Sequence, residues 1–227
     1  SEAIRFSCNY FFFFFGWQFS QIGDSYVESA GIETITKYAN MYGLGDKTGI
    51  ETVESEPKIA TEFPITAAIG QSNHDYTTVV LSRYVTAVAN RGTVYDYTLL
   101  NKLTDAEGNV LETYEPKVKS RMTDIPQSVW DAIQSGNRMV VQDLNSFNDF
   151  DTLDVAGKTG TAQQVTNRPN HALFVGYAPY QNPQISIATR IAYGYTSHNA
   201  SDVSADILKY YFKLEDEESL INGTAAN

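Results

Sequence analysis

One stretch of this chain concentrates groups that could do chemistry: Val155-Ala156-Gly157-Lys158-Thr159-Gly160-Thr161-Ala162. An apolar lead runs into a lysine and two threonines punctuated by glycines. If the stretch is a strand, Thr159 and Thr161, two apart, point to one face, which then offers two hydroxyls beside an ammonium. Gly157 and Gly160 leave no side chain to block a ligand laid against the backbone. Such an array suits an anionic ligand that adds as an extra strand, its carboxylate meeting Lys158 and the hydroxyls while its backbone pairs with an open sheet edge.

Other candidates must be sorted against this one. Ser7-Cys8-Asn9 places a hydroxyl and a carboxamide two residues apart, directly before six consecutive aromatics, Tyr10 to Phe15. Polar groups beside so apolar a run need partners, as a helix cap, a core hydrogen bond or part of a site. A second Lys-Thr-Gly, Lys47 to Gly49, follows Tyr42-Gly43-Leu44-Gly45 at the end of a helical pattern and reads as a structural exit loop. Gly157-Lys158-Thr159 could also close a phosphate-binding loop, but that motif needs glycine where Thr152 stands. Ser55-Glu56-Pro57-Lys58 spells a serine and a lysine one helical turn apart, yet Pro57 and the acidic flank argue against a helix there. That pair is read as a decoy.

The chain has 227 residues, 42% hydrophobic and 19% charged, enough for one substantial core or two small ones. A formal net charge of −11 disfavours a nucleic-acid partner but leaves room for a small anionic ligand at a locally positive site. Cys8 is the single cysteine, which excludes an internal disulfide and a cysteine-cluster metal site, and His74, His171 and His198 are far apart in sequence. No metal and no cofactor is expected. No basic region precedes Tyr10 to Phe15 and no small-residue cleavage site follows, so the start does not read as a signal peptide. Six aromatics are too few to span a bilayer, and the run is expected in a helix or strand buried on most sides.

Periodicity predicts helices over 32–42, about 77–90 and 126–141, the second burying Val80, Leu81, Tyr84 and Val88. Residues 51–64 read as an extended charged connection, and His74 as part of a turn. Alternation over 93–114, with a turn at Asp105 to Asn109, predicts two strands. Val155 to Gln164, His171 to Ala178 and Ile185 to Tyr193 predict an antiparallel meander with Lys158 on its exposed edge. A closing helix over 202–214 offers Val203, Ile207, Leu208, Tyr211 and Leu214 for packing, and 215–227 reads as an acidic, disordered tail. The fold class is α+β.

In chain order, Ser7-Cys8-Asn9 before an aromatic run, Tyr42-Gly43-Leu44-Gly45, Ala68-Ile69-Gly70-Gln71, a helix ending in Ala89-Asn90-Arg91-Gly92, Ala156 to Ala162, and His171-Ala172-Leu173-Phe174-Val175-Gly176-Tyr177-Ala178-Pro179 resemble the transpeptidase domain of penicillin-binding proteins, class B type. The resemblance covers Ser1 to about Leu214. It implies an antiparallel sheet flanked by helices plus a helical lobe, the penicillin-binding/β-lactamase-like fold, shortened at its N-terminus. It also implies a serine acyltransferase that cross-links peptidoglycan stem peptides ending in D-Ala-D-Ala and is acylated by β-lactams. The parent protein would be membrane-anchored at the extracytoplasmic face of the bacterial cytoplasmic membrane and work with the cell-wall synthesis machinery that sets cell shape. Carried over residue by residue, Ser7 would relay protons to the leaving amine and Asn9 would position the substrate amide and the nucleophile's lysine. Lys158 would supply positive potential from the opposite wall of the cleft. Thr159 and Thr161, with Gly160 between them, would take the substrate carboxylate, and the Thr161 backbone N–H would form half of an oxyanion hole.

One departure follows from the same resemblance. The family's nucleophile lies in an S-x-x-K motif well before S-x-N, whereas six residues precede Ser7 here. The expectation is a partial domain without the nucleophile segment and the first strands of its sheet, inactive alone, and exposing apolar surface where Tyr10 to Phe15 would meet the absent helix. The alternative is a non-catalytic penicillin- or peptidoglycan-binding fragment, or a sensor. A β-lactamase is a weaker third reading, because no deacylating carboxylate stands in a recognisable loop.

Overall fold

The structure, a computed structural model, describes residues 1–150 and 152–221. In chain order the elements are α1 (Glu2–Arg5), α2 (Asn9–Phe19), β1 (Gln21–Ile22), β2 (Ser25–Tyr26), α3 (Glu28–Met41), α4 (Pro64–Ala67), α5 (Thr78–Ala89), β3 (Thr93–Asp96), β4 (Lys102–Thr104), β5 (Val110–Thr113), β6 (Lys117–Arg121), α6 (Gln127–Gln142), a 3-10 turn at Asn145–Phe147, β7 (Ala156–Ala162), β8 (His171–Ala178), β9 (Ile185–Ile191), α7 (Ser197–Phe212) and α8 (Glu217–Ile221). They fall into two compact units, one of Ser7–Ala132 and one that joins Ser1–Phe6 to the residues from Ile133 onward.

In the unit Ser7–Ala132, α2, α3 and α4 approach closely because glycines stand at the contacts. A Cβ added at Gly16 would lie 2.6 Å from Pro64 O, and one at Gly31 2.2 Å from Ser20 Oγ. Thr77 caps α5 by accepting from the Val80 N–H at 3.2 Å, and α3 stops where Gly43 takes φ +74°. The charge that organises this unit was invisible to periodicity. Arg83, fully buried on α5, donates to the carbonyls of Gly43, Asp46 and Lys47 and thereby folds the loop after α3 around its guanidinium. Burial pushes its pKa down, with Asp46, Glu54 and Asp96 opposing the shift. The expected hairpin forms as β4 and β5, but β3 pairs with β6, a strand the sequence reading did not identify.

Tyr10 to Phe15 is helical, yet it is not buried on most sides: of α2 only Gly16 is buried, and Tyr10 is 81% exposed, with Phe11, Phe14 and Trp17 at 43, 47 and 45%. Successive residues of a helix turn by about 100°, so consecutive aromatics point all round, and the contact through Gly16 covers only one side. The apolar exposure expected for this segment is present.

In the other unit, α1 is tied to the end of α6 by a bidentate ion pair, Arg5 Nε and Nη2 donating to Asp143 at 2.7 and 2.9 Å. Strands β7, β8 and β9 form the expected antiparallel sheet in that order. Its core gathers Val141, Leu144, Phe147, Val155, Phe174 and Leu208. Helix α7 begins at Ser197, five residues before its expected start, with Thr196 as its N-cap, and of the residues expected to pack only Leu208 is buried. Ala200, Ser201, Ser204, Ala205 and Leu208 are buried, while Val203, Ile207, Tyr211 and Leu214 stay exposed. Small side chains let the helix settle on the strands, and the Ser204 hydroxyl bridges Thr189 Oγ1 and Ala200 O at 2.7 Å each. Within the segment 215–227, expected to be a disordered tail, Glu217–Ile221 forms the short helix α8, and residues 222–227 lie outside the described residues.

Arg83→Met should cost about 3 kcal/mol in urea unfolding, because three carbonyls lose their donor. An unchanged midpoint would remove Arg83 from this role.

Candidate functional site

The chemistry-bearing stretch is strand β7, and its position follows from glycine packing. Gly157 faces Gly176 across the β7–β8 ladder, and the Phe174 ring lies over both: an added Cβ would come within 2.5 Å of Phe174 Cζ at Gly157 and 2.7 Å of Cε1 at Gly176. Phe174 is itself fully buried, with Phe147 5.4 Å away. Among the described residues β7 pairs only with β8, so its other side is an edge, as expected for Lys158.

The pleat corrects one expectation. Thr159 stands opposite Phe174 and Thr161 opposite Ala172, whereas Lys158 stands opposite Val175 and Gly160 opposite Leu173. The two hydroxyls therefore share the face covered by α7, and Lys158 leaves the strand from the other face. A ligand lying in the plane of the sheet at this edge would meet both pleats. Lys158 Nζ donates to Thr159 O at 3.0 Å, which folds the side chain along the strand. The side chain is half-buried, and burial pushes the pKa of its ammonium down. Thr161 is exposed and Thr159 half-buried.

Ser7 and Asn9 belong to the unit Ser7–Ala132, and Lys158 to Thr161 to the other. Ser7 takes φ +47°, a left-handed value uncommon for a residue with a side chain, in the turn before α2. Cys8 occupies the N-cap without a side-chain hydrogen bond, and Asn9 is the first helical residue. Both Ser7 and Asn9 are exposed.

The rival motifs have structural roles. Thr48 of the first Lys-Thr-Gly is fully buried, its N–H and hydroxyl donating to Glu54 Oε2 at 2.8 and 3.0 Å. Ser55 to Pro57 is irregular and Lys58 forms an antiparallel bridge with Asp75, so the serine and lysine are not stacked on a helical turn. His74 holds a turn: its Nδ1 accepts from the Ala60 N–H at 3.0 Å and its Nε2 lies 3.2 Å from Ala67 O. Two surface cavities, of about 220 Å³ beside Arg138 and Phe150 and about 550 Å³ beside Lys47, Tyr97 and Tyr114, involve none of the predicted site residues. The sequence reading missed a group past the end of β7, where His171, Tyr193, Arg168 and Arg190 come together.

The family model described as "Penicillin binding protein transpeptidase domain" matches residues 1–213. The chain is 26% identical over 218 residues to penicillin-binding protein 2A of Bacillus subtilis, covering 85% of this chain and 30% of that protein. It is 27% identical over 219 residues to the peptidoglycan D,D-transpeptidase MrdA of Haemophilus influenzae, covering 80% and 33%. The solved structure of penicillin-binding protein 2B from Streptococcus pneumoniae superposes with a TM-score of 0.80 at 25% identity, covering 94% of this chain and 39% of that one. The chain thus spans about a third of the length of the curated relatives it matches. The mixed helix and sheet architecture expected from the sequence is the architecture of these transpeptidase structures.

Gly157→Ala should destabilise the fold by roughly 1–3 kcal/mol, since the new methyl meets Phe174 and the Val175 carbonyl. Gly160→Ala meets only the Leu173 side chain, at 3.3 Å, and should cost less than about 1 kcal/mol. Equal urea midpoints for the two variants would contradict the packing of β7.

Proposed function

Because this chain belongs to the family of penicillin-binding protein transpeptidase domains, we propose that it is the substrate-binding part of a serine D,D-transpeptidase, which transfers acyl groups from D-Ala-D-Ala stem peptides of peptidoglycan and is blocked by β-lactams. The observation that carries this reading is that β7, which bears Lys158, Thr159 and Thr161 with Gly157 and Gly160 among them, is an edge strand among the described residues. The name of the Haemophilus influenzae relative supports it. The terminal carboxylate of the peptide meets the two threonine hydroxyls, and its backbone pairs with β7. Lys158, partly withdrawn from water, supplies a positive potential that solvent screens less than it would at a surface. The Thr161 N–H forms half of an oxyanion hole. Ser7 passes a proton to the leaving amine and the Asn9 carboxamide orients the reacting groups.

The nucleophile, in this proposal, comes from sequence beyond these residues. The only S-x-x-K in the chain, Ser55 to Lys58, is not helical, and the chain spans about a third of its relatives. Residues 1–214 are then a partial transpeptidase domain, and the parent protein is anchored at the extracytoplasmic face of the membrane and works with the cell-wall synthesis machinery. Among the described residues no helix is long and apolar enough to cross a membrane. The non-helical S-x-x-K equally favours a second reading, a binding fragment or sensor without turnover.

Intact-mass spectrometry after incubation with penicillin separates the possibilities. No adduct is expected on the 227-residue chain, and a stoichiometric adduct is expected on the parent protein. An adduct on any serine of this chain would refute the external nucleophile, and none on the parent would favour the sensor. Lys158→Ala in the parent should slow acylation by about 10²–10³-fold.

The lowered pKa of Lys158 sets the sign of a pH effect. Its proton leaves at a lower pH than that of an ordinary lysine at 10.5, so binding of acetyl-D-Ala-D-Ala should weaken with rising pH already below that value. Lys158→Arg should flatten the decline, because a guanidinium stays charged throughout. A profile unaltered by this substitution would exclude Lys158 as the titrating group.

A further inference from the structure

The face of the sheet from which Lys158 emerges continues past Ala162 into a second cationic group. On this face lie Gly160 and Ala162 of β7, Leu173 and His171 of β8, and Arg190 of β9. His171 is buried, with Nε2 2.9 Å from Gln164 Oε1 and Nδ1 accepting the Tyr193 N–H at 3.1 Å. That pattern fixes a neutral imidazole that carries its hydrogen on Nε2. Burial and the neighbouring Arg190 both push its pKa down, which keeps it neutral at pH 7. The ring packs against Tyr193 with centroids 4.9 Å apart.

Two guanidiniums flank this pair. Arg190 Nη2 lies 3.3 and 3.4 Å from the two ring nitrogens of His171, of which one is already a donor and the other already accepts from Tyr193, so most of its hydrogen-bonding capacity is unused. Arg168 lies over the Tyr193 ring at 5.0 Å and donates to its hydroxyl at 2.9 Å. None of the ion pairs formed among the described residues involves Arg168 or Arg190. The chain carries 27 acidic residues and a net charge of −11, yet these two arginines are held by a tyrosine and a histidine, which orient them without neutralising them.

We propose that Arg168 and Arg190 form a second anion subsite, taking a carboxylate that precedes the C-terminal carboxylate of the peptide by about three residues. The spacing comes from the strand itself: Thr159 and Ala162 are three residues apart, roughly 10 Å, so a peptide added to the edge of β7 spans that distance with about three of its own residues. A guanidinium suits this task, because its donors match a carboxylate in two parallel bonds. His171 and Tyr193 are positioning residues. The inference rests on the proposed reading of β7 as a peptide-binding edge and names a specificity within it.

The test uses the 227-residue chain and three acetylated probes in isothermal titration calorimetry: D-Ala-D-Ala, D-Glu-Gly-D-Ala-D-Ala, and D-Gln-Gly-D-Ala-D-Ala. The D-Glu probe should bind about tenfold more tightly than the D-Gln probe. The exposed pair R168Q/R190Q should erase that preference and leave acetyl-D-Ala-D-Ala binding unchanged, which a purely structural role for the arginines would not do. Equal affinity for the D-Glu and D-Gln probes in the wild-type chain, a preference that survives in R168Q/R190Q, or no measurable binding of the D-Glu probe would each overturn the subsite. If acetyl-D-Ala-D-Ala fails to bind while the D-Glu preference and its loss are both seen, the subsite stands and the reading of Lys158, Thr159 and Thr161 fails instead.

Discussion

A strand carries hydrogen-bonding groups on both of its sides, and in the sheet of this protein β7 satisfies only one side within the described residues, through β8. Everything proposed for the site depends on that one-sidedness. The edge must be straight and held firmly enough from behind to serve as a template, and open enough in front to accept a partner. The rear support is the Phe174 ring lying across Gly157 and Gly176, in space that any other residue pair would fill with side chains. Sheet edges are usually a liability because they recruit other chains. In the proposed function the same property serves recognition, with Lys158 and the threonines limiting what can pair.

The two Lys-Thr-Gly copies show how little a tripeptide says without its surroundings. At Lys47 to Gly49 the backbone turns around Arg83, Gly49 takes φ +87°, and the threonine spends its hydroxyl on Glu54 in the interior. At Lys158 to Gly160 the same residues lie in a regular ladder and alternate between faces. What separates them in sequence is the apolar lead Val155-Ala156 before one copy and the glycine-rich helix stop before the other. Those flanks set strand or loop, and the strand or loop sets whether the hydroxyl is consumed or presented.

The sheet and most helix positions were legible because alternation and 3.6-residue periodicity report burial directly. The errors share a cause: periodicity reports where bulk is, not where close approach is needed. Helix α7 buries Ala200, Ser201, Ser204 and Ala205 against the sheet together with Leu208, and leaves Val203, Ile207 and Tyr211 outside, which bulk alone does not suggest. Arg83 escaped notice because a buried cation is legible only once its carbonyl partners are known, and these lie 36 to 40 positions away. The pleat of Lys158 was misjudged by treating neighbouring residues as sharing a face. The group around His171 gave no sequence signal, since its members come from a loop, two strands and the segment after β9.

An acidic protein can still bind acidic ligands, and the reason is range. At physiological ionic strength exposed charges farther than about 8 Å apart are largely screened, so the net charge of −11 acts weakly on an anion already seated at β7. Charges in contact act strongly, and a partly desolvated one such as Lys158 acts more strongly still, because attraction rises as the local dielectric falls. The same burial that strengthens Lys158 also lowers its hold on its own proton, so the site cannot be driven deeper without losing the charge it needs. Arginine is free of that limit, since its guanidinium keeps its proton at any physiological pH. The proposed arrangement, a lysine at the reacting end, where potential must be tuned, and arginines farther along the sheet, where only recognition is required, is therefore the one that these opposing demands favour.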